Sequence, residues 1–237
     1  MRCMPHLKLM PAANTLLAAL PDKDFKRLRA AMVTVTLTFG EVLYEAGQRI
    51  RHVYFPTDSL ISLLTLVDAH LSLEVGLVGR EGMVGVALAL GVTTSPVRAL
   101  VQGSGSALRM DSAHFRRELA NCKPLQVILH RYAHVLMVQV SQTAACNRFH
   151  VVETRLARWL LMTRDRMRSR QFRLTQEFLA HMLGVRRVGV TNAAQALKRR
   201  KLIDYNRGNI SIIDEAGLES ACCSCYESVK DVARKIL

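Results

Sequence analysis

Acidic residues are in short supply here: 19 Asp and Glu face 33 Lys and Arg, a formal net charge of +14 over 237 residues. Aromatic residues make up only 5% of the chain, with a single Trp. Long hydrophobic runs are missing too. The longest, Met83 to Val92, contains Gly85 and Gly91 and falls far short of the roughly 20 residues a membrane-spanning helix needs. The first 20 residues are somewhat apolar but are broken by Pro5 and Pro11, so no signal peptide is expected and the cytoplasm is the expected compartment. Six cysteines (Cys3, Cys122, Cys146, Cys222, Cys223 and Cys225) are too few for a disulfide framework at this length, and reduced thiols are expected. There is no phosphate-binding glycine loop, dinucleotide fingerprint, nucleophile elbow or paired-carboxylate set. An enzyme is therefore not expected.

What the chain has is basic charge and apolar patterning. Half of it is hydrophobic, enough for a substantial core in one large or two modest domains. A pI near 10.1 calls for a polyanionic partner, nucleic acid or an acidic membrane surface. The distribution favours nucleic acid. Between Arg155 and Lys201 thirteen basic residues stand against only Asp165 and Glu177, a concentration suited to contacting phosphates.

That basic stretch contains the most informative pattern, Leu174 to Ile213. Phe178, Leu179, Met182 and Leu183 recur at helical spacing and stop at Gly184, while Val190, Ala193, Ala194 and Leu197 begin a second helical pattern six residues on. So short a link forces two helices to cross steeply, with Ala180 at the close approach. A glycine-containing hairpin follows.

Earlier segments change period. Leu16, Leu17, Leu20, Phe25 and Leu28 indicate one or two short helices about Pro21-Asp22. From Met32 onward, Val33, Val35, Leu37 and Phe39 alternate with threonines, and further short strands are expected at 41–44, 51–55, 60–67, 70–76 and 97–102, a β-roll or barrel over roughly residues 30–110. Gly103-Ser104-Gly105 reads as punctuation. Asp111 to Ala120 reads as a short helix, and Pro124 sits well in the first turn of a longer one. Along it Leu125, Ile128, Tyr132, Val135, Gln139, Gln142 and Cys146 form a coiled-coil-like seam, with Leu129, Leu136 and Val140 as a second stripe. One stripe is expected on the β-roll and one on a partner. Asn147 to His150 reads as a hinge, Val151 to Arg168 as a helix, and Glu215 to Leu237 as a final amphipathic helix.

The ordered set Leu174, Thr175, Leu179, Ala180, Gly184, Val185, Arg187, Leu197, Leu202, Ile203 and Gly208 resembles the winged-helix domain of the Crp/Fnr family of bacterial transcription regulators. GEVLYEAGQ (40–48) and VYFPTDSLISLL (53–64) are similar to the first half of the cyclic-nucleotide-binding β-roll of the same family. The resemblance spans almost the whole chain. It implies an α+β fold: an N-terminal double-stranded β-roll of cupin-like jelly-roll type, a long dimerisation helix and a C-terminal winged helix-turn-helix. The expected divisions are a helical segment (1–29), a sensor-like roll (30–120), a dimerisation helix with hinge (121–150) and a DNA-binding domain (151–237). Implied partners are double-stranded DNA, a second copy of the chain and RNA polymerase.

Candidate DNA contacts follow from side-chain chemistry. On the second helix, Arg186, Arg187, Val188, Thr191, Asn192 and Gln195 lie away from the apolar stripe. Arginine suits guanine, asparagine and glutamine suit adenine, and valine suits a thymine methyl. Thr175 and Gln176 at the start of the first helix could meet phosphate, and Asn206 and Arg207 belong to the hairpin tip. By resemblance Arg187 matches the arginine with which many family members read a guanine. Val188 stands where others often have glutamate, and Asn192 where they have arginine, so their operator sequence does not transfer.

The effector pocket looks degenerate. Gly85, Val86 and Ala87, then Thr93 and Thr94, occupy the positions of the family's cyclic-nucleotide cassette, with Val86 in place of the ribose-binding glutamate and Thr93 in place of the phosphate-binding arginine. A buried phosphate without a cation loses a contact worth about 1.5 to 3 kcal/mol, so control by cyclic AMP is not expected and the effector stays unassigned. Arg98 is expected at the surface. No cofactor or metal is expected: only Cys3 lies where some family members hold an iron-sulfur cluster, and Cys222 and Cys225 are expected to pack as small hydrophobes. The competing reading is a β-roll interaction module that binds acidic protein or membrane, with the winged helix as scaffold.

Overall fold

A computed structural model describes residues 14–67, 72–206 and 208–237. Cys3, His70 and Arg207 lie outside them. At the start of the described chain, the buried Asn14 side chain caps helix α1 (Thr15–Ala18) and donates to the carbonyls of Pro56 (2.9 Å) and Gly82 (2.8 Å), pinning this segment to the roll. Helix α2 (Asp22–Ala30) follows.

Seven strands then form two antiparallel sheets: β1 (Val33–Leu37), β2 (Val42–Tyr44), β3 (His52–Pro56), β4 (Leu60–Leu66), β5 (Ser72–Val78), β6 (Arg98–Gly103) and β7 (Gly105–Asp111). Their orders are β1-β7-β3 and β2-β6-β4-β5. Strand β7 was not foreseen. Gly103-Ser104-Gly105 carries the chain from one sheet to the other, and β7 becomes the centre of its sheet, pairing Val33 with Arg109 on one side and Tyr54 with Arg109 on the other. Val53, Phe55, Ile61, Val78, Ala99, Val101 and Met110 are fully buried between the sheets.

Helix α3 (Ser112–Asn121) is capped by the Asp111 carboxylate. It leads into α4 (Lys123–Phe149, 27 residues), about 40 Å long at 1.5 Å per residue. The expected hinge shrinks, because α4 runs to Phe149 and only His150 and Val151 adopt extended backbone before α5 (Val152–Met167). The expected seam on α4 also turns inward. Leu125, Ile128, Tyr132, Val135 and Gln139 are buried against this chain's own roll and C-terminal helices, and Gln142 is half-buried. Gln139 shows why: its amide accepts from Leu77 N at 2.7 Å and donates to Leu77 O, closing an edge of β5. Leu129 is buried as well, and the large apolar residues left exposed on α4 are Val127, Met137 and Val140, with Phe149 at its end.

The C-terminal region holds β8 (Gln171–Arg173), α6 (Gln176–Leu183), α7 (Arg187–Arg199), β9 (Ile203–Asn206), β10 (Asn209–Ile212), α8 (Glu215–Ala221) and α9 (Cys225–Ile236). Two expectations need correction. The hairpin gains β8 as a third strand, in the order β8-β10-β9, and the tail is two helices, broken at Cys222, Cys223 and Ser224. A second core joins this region to the roll: Leu60, Leu64 and Leu77 of the sheet pack with Leu156, Leu160 and Leu161 of α5 and with Leu179 and Leu197.

Candidate nucleic-acid interface

Local chemistry builds the two crossing helices. The Thr175 hydroxyl accepts from Phe178 N at 3.1 Å and caps α6, as expected of a threonine at that position. Gly184 ends α6 at φ +60, a left-handed conformation that a side chain disfavours, and a Cβ there would sit 2.6 Å from Leu73 Cδ1 of β5. Val185 N donates back to Ala180 O at 3.0 Å, and α7 begins three residues after the turn. Val190, Ala193, Ala194 and Leu197 bury the inner face of α7. The crossing is a packed unit.

The outer face of α7 is open. Arg187, Val188, Asn192 and Gln195 are exposed, Val188 to 62% although it is apolar. Val188, Asn192 and Gln195 repeat at one-turn intervals and form a single stripe, with Arg187 at its N-terminal end. Arg186 occupies the N-cap without a side-chain cap bond and its carbonyl accepts from Gly189 N at 2.9 Å, so the N–H groups of Arg187 and Val188 are left for an outside acceptor. Two candidates are partly engaged with each other: the Thr191 hydroxyl lies 2.8 Å from Gln176 Oε1 and 3.1 Å from the Arg187 carbonyl. They tie the N-terminus of α6 to α7. In the wing, Gly208 turns the chain at φ +83, Leu174 N donates to its carbonyl at 2.6 Å, and Asn206 is exposed beside it.

The basic cluster proves to have two populations. Arg155 and Arg158 are buried. Arg166 pairs with Glu81 of the roll, whereas Arg164 pairs with Asp165, Glu215 and Glu219, and Arg170 with Glu215, inside the C-terminal region, so these side chains are committed to holding the fold. Lys198 and Arg200 are exposed but pair with Asp204 and Glu153. Arg168, Arg173, Arg186, Arg187, Arg199 and Lys201 are exposed and make no ion pair among the described residues. Four of these uncommitted cations, Arg186, Arg187, Arg199 and Lys201, lie on α7 or beside its ends.

The effector-cassette residues sit at one end of the roll. Val86 and Ala87 open a 3-10 turn (Val86–Leu90), preceded by Gly85 at φ +96, where a Cβ would lie 3.2 Å from Val53 Cγ1. The Thr93 carbonyl accepts from Ile50 N at 2.9 Å, and Thr94 bridges to Arg49. Arg98, half-exposed, is held by Glu45 in a two-pronged pair at 2.7 and 2.8 Å. Tyr44, Tyr54, Met83 and Leu88 fill the roll interior beside this cassette.

A helix-turn-helix with a three-stranded wing, joined through a long helix to an antiparallel roll, defines a winged-helix protein with a cyclic-nucleotide-binding-like domain. Residues 154–221 match the Crp-like helix-turn-helix domain. Among solved structures the chain is similar to FixK2 from Bradyrhizobium japonicum (11% identity, TM-score 0.69, covering 81% of this chain and 98% of that one). It is likewise similar to the c-di-GMP-responsive global regulator CLP of Xanthomonas campestris (14%, 0.66, 81% and 99%). A third is a Crp-family transcriptional regulator from Thermus thermophilus (18%, 0.64, 79% and 95%). No curated protein matches by sequence. The chain has the fold of Crp/Fnr-type transcription regulators and carries a Crp-like helix-turn-helix domain.

Proposed function

We propose that this protein is a cytoplasmic, sequence-specific DNA-binding transcription regulator that works as a homodimer on a near-palindromic site. The observation that carries the reading is the outer face of α7, where Arg187, Val188, Asn192 and Gln195 stand free above an N-terminus without a side-chain cap. Inserted in the major groove, Arg187 donates to a guanine edge, Asn192 and Gln195 address adenine, and Val188 meets a thymine methyl. Arg186 and the α6 cap residues Thr175 and Gln176 face phosphate, Thr191 holds Gln176 in register, and Asn206 with Arg207 forms the wing contact. The roll (30–120), the helix and hinge (121–150) and the reading domain (151–237) act as successive units, and RNA polymerase is the partner at the promoter.

Binding to a duplex carrying the site, followed by fluorescence anisotropy, is expected to weaken steeply between about 50 and 200 mM salt, in proportion to the phosphates neutralised. A flat salt response would contradict the reading.

The dimer face is reassigned to the outward side of α4. Val127, Met137 and Val140 are exposed there, 39%, 59% and 37% respectively, and Val127, His130, His134, Met137, Ser141 and Ala144 alternate at three and four residues, the spacing of a two-stranded coiled-coil seam. Met137→Glu places two carboxylates at the centre of that seam. Light scattering is expected to report a dimer for the parent chain and a monomer for the variant.

Control by cyclic AMP is not part of the proposal. Val86 and Thr93 offer no ionic partner for a ribose or a cyclic phosphate, and Arg98 is engaged by Glu45.

A further inference from the structure

Four soft or borderline metal ligands from distant parts of the chain meet at the end of α4. Cys146 and His150 come from its last turn and C-cap, one helical turn apart, Cys223 comes from the break between α8 and α9, and Cys225 opens α9. Their ligand atoms all lie within 4.8 Å of one another. Cys146 Sγ is 3.5 Å from Cys223 Sγ, and Cys225 Sγ is 3.6 Å from His150 Nδ1. A tetrahedral zinc ion with bonds of about 2.3 Å to sulfur and 2.0 Å to nitrogen separates its ligands by roughly 3.8 Å (sulfur to sulfur) and 3.5 Å (sulfur to nitrogen). All three cysteines are buried and His150 is half-buried, so four protein ligands are at hand and a tetrahedral ion needs no water to complete it.

Two features around the cluster point the same way. The Gln142 amide donates to Cys225 Sγ at 3.0 Å, the kind of outer contact that steadies a metal-bound thiolate. Arg155 and Arg158 are buried beside the cluster, and each keeps an Nε without a hydrogen-bond partner among the described residues. Their other bonds go to neutral groups, the Leu183 carbonyl and the Thr143 hydroxyl. Buried cations call for an anion. Three thiolates around a divalent ion carry a net negative charge and supply one.

We propose that Cys146, His150, Cys223 and Cys225 form a closed, four-coordinate zinc(II) site that fastens the start of α9 to the end of α4. Zinc displaces the three thiol protons on binding and undergoes no redox change. The site takes in His150 of the two-residue hinge before α5, so the ion fixes the C-terminal helices to the long helix at the point where the two halves of the chain meet.

The test uses the full chain, reduced and freed of metal. Titration with cobalt(II) is expected to produce thiolate charge-transfer absorption and intense tetrahedral ligand-field bands that saturate at one ion per chain and are bleached by zinc. Metal analysis of chain purified without a metal-affinity step is expected to find one zinc. Cys223→Ser should weaken zinc by more than the 10- to 100-fold typical of outer-shell losses, whereas Cys122→Ser, a buried thiol outside the cluster, should bind as the parent does. A reduced parent chain that gives no cobalt spectrum overturns the proposal whether or not the variants fold. So does unchanged binding in Cys146→Ser/Cys223→Ser, or recovery of the chain with a Cys146–Cys223 disulfide in place of metal.

Discussion

Arg187→Ala is expected to weaken binding to the cognate duplex by roughly 5- to 150-fold, the equivalent of 1 to 3 kcal/mol for one bidentate base contact. The size follows from its surroundings. Arg187 opens α7, is exposed, and has no ion pair among the described residues, so nothing in the free protein competes for the guanidinium and little packing is lost with it. The loss should fall on one base pair of each half-site: the variant should discriminate poorly there and normally elsewhere. Arg186→Ala or Arg173→Ala, if those residues touch phosphate, should instead weaken every sequence alike and flatten the salt dependence. Competition anisotropy against duplexes substituted at single positions separates the two patterns.

The second large effect concerns Glu74, which lies in β5 at the contact between the roll and α5. It is fully enclosed, with the Trp159 indole N–H donating to Oε1 at 2.8 Å and the Ser62 hydroxyl 2.7 Å from Oε2. Burial raises its pKa from the ordinary 4.5 to about 7; hydrogen bonds from Ser62 and Trp159 and the guanidiniums of Arg166 and Arg158 oppose the shift without cancelling it. Ser62 also touches Gln102 Oε1. With one hydroxyl proton it cannot donate to both oxygens; a protonated Glu74 donating to Ser62, which then donates to Gln102 Oε1, gives each of these contacts a proton, while Gln102 Nε2 keeps no partner among the described residues.

A carboxyl whose pKa is higher in the folded chain binds its proton more tightly there. Its contribution to stability is complete below about pH 4.5, falls as pH rises toward 7 and is gone above it, a total of about 3 kcal/mol. Glu74→Gln keeps the shape and removes the charge. By scanning calorimetry, the variant should match the parent near pH 4.5 and melt roughly 5 to 10 °C higher near pH 8. A lower melting temperature than the parent at pH 8 would mean that the carboxylate is ionised and held by Arg158 and Arg166.

The sequence carried the reading domain well, because helix-turn-helix packing is local. Gly184 had to stop α6 and Val190 had to plug α7 against it, and both requirements are written in adjacent residues. The roll was legible as alternating strands, but β7 was missed because its register depends on β1 and β3 some fifty to seventy residues away. The α4 seam shows a different limit. Periodicity identified an apolar stripe and could not say which body covers it; the deciding contact, Gln139 to Leu77, joins residues 62 positions apart. The basic cluster was likewise real in number and mixed in use, since Arg164 and Arg166 turn to Glu219 and Glu81.

The thiol cluster was the least legible. Cys146 and His150 are spaced for one helix face and Cys223 and Cys225 flank a single residue, yet each pair alone reads as packing. A single continuous tail helix seemed to place Cys222 and Cys225 on its stripe. The break after α8 instead turns Cys223 inward beside Cys225, and folding brings them to α4.

The central claim, that two copies of α7 read DNA, is tested most directly by selecting bound duplexes from a random pool with the parent chain and with Arg187→Ala. The account predicts that the parent enriches two inverted half-sites whose centres lie about 34 Å, one helical turn, apart, and that the variant enriches the same spacing with one position per half-site relaxed. No enriched sequence, or an unpaired site whose preferences Arg187→Ala leaves untouched, would contradict it.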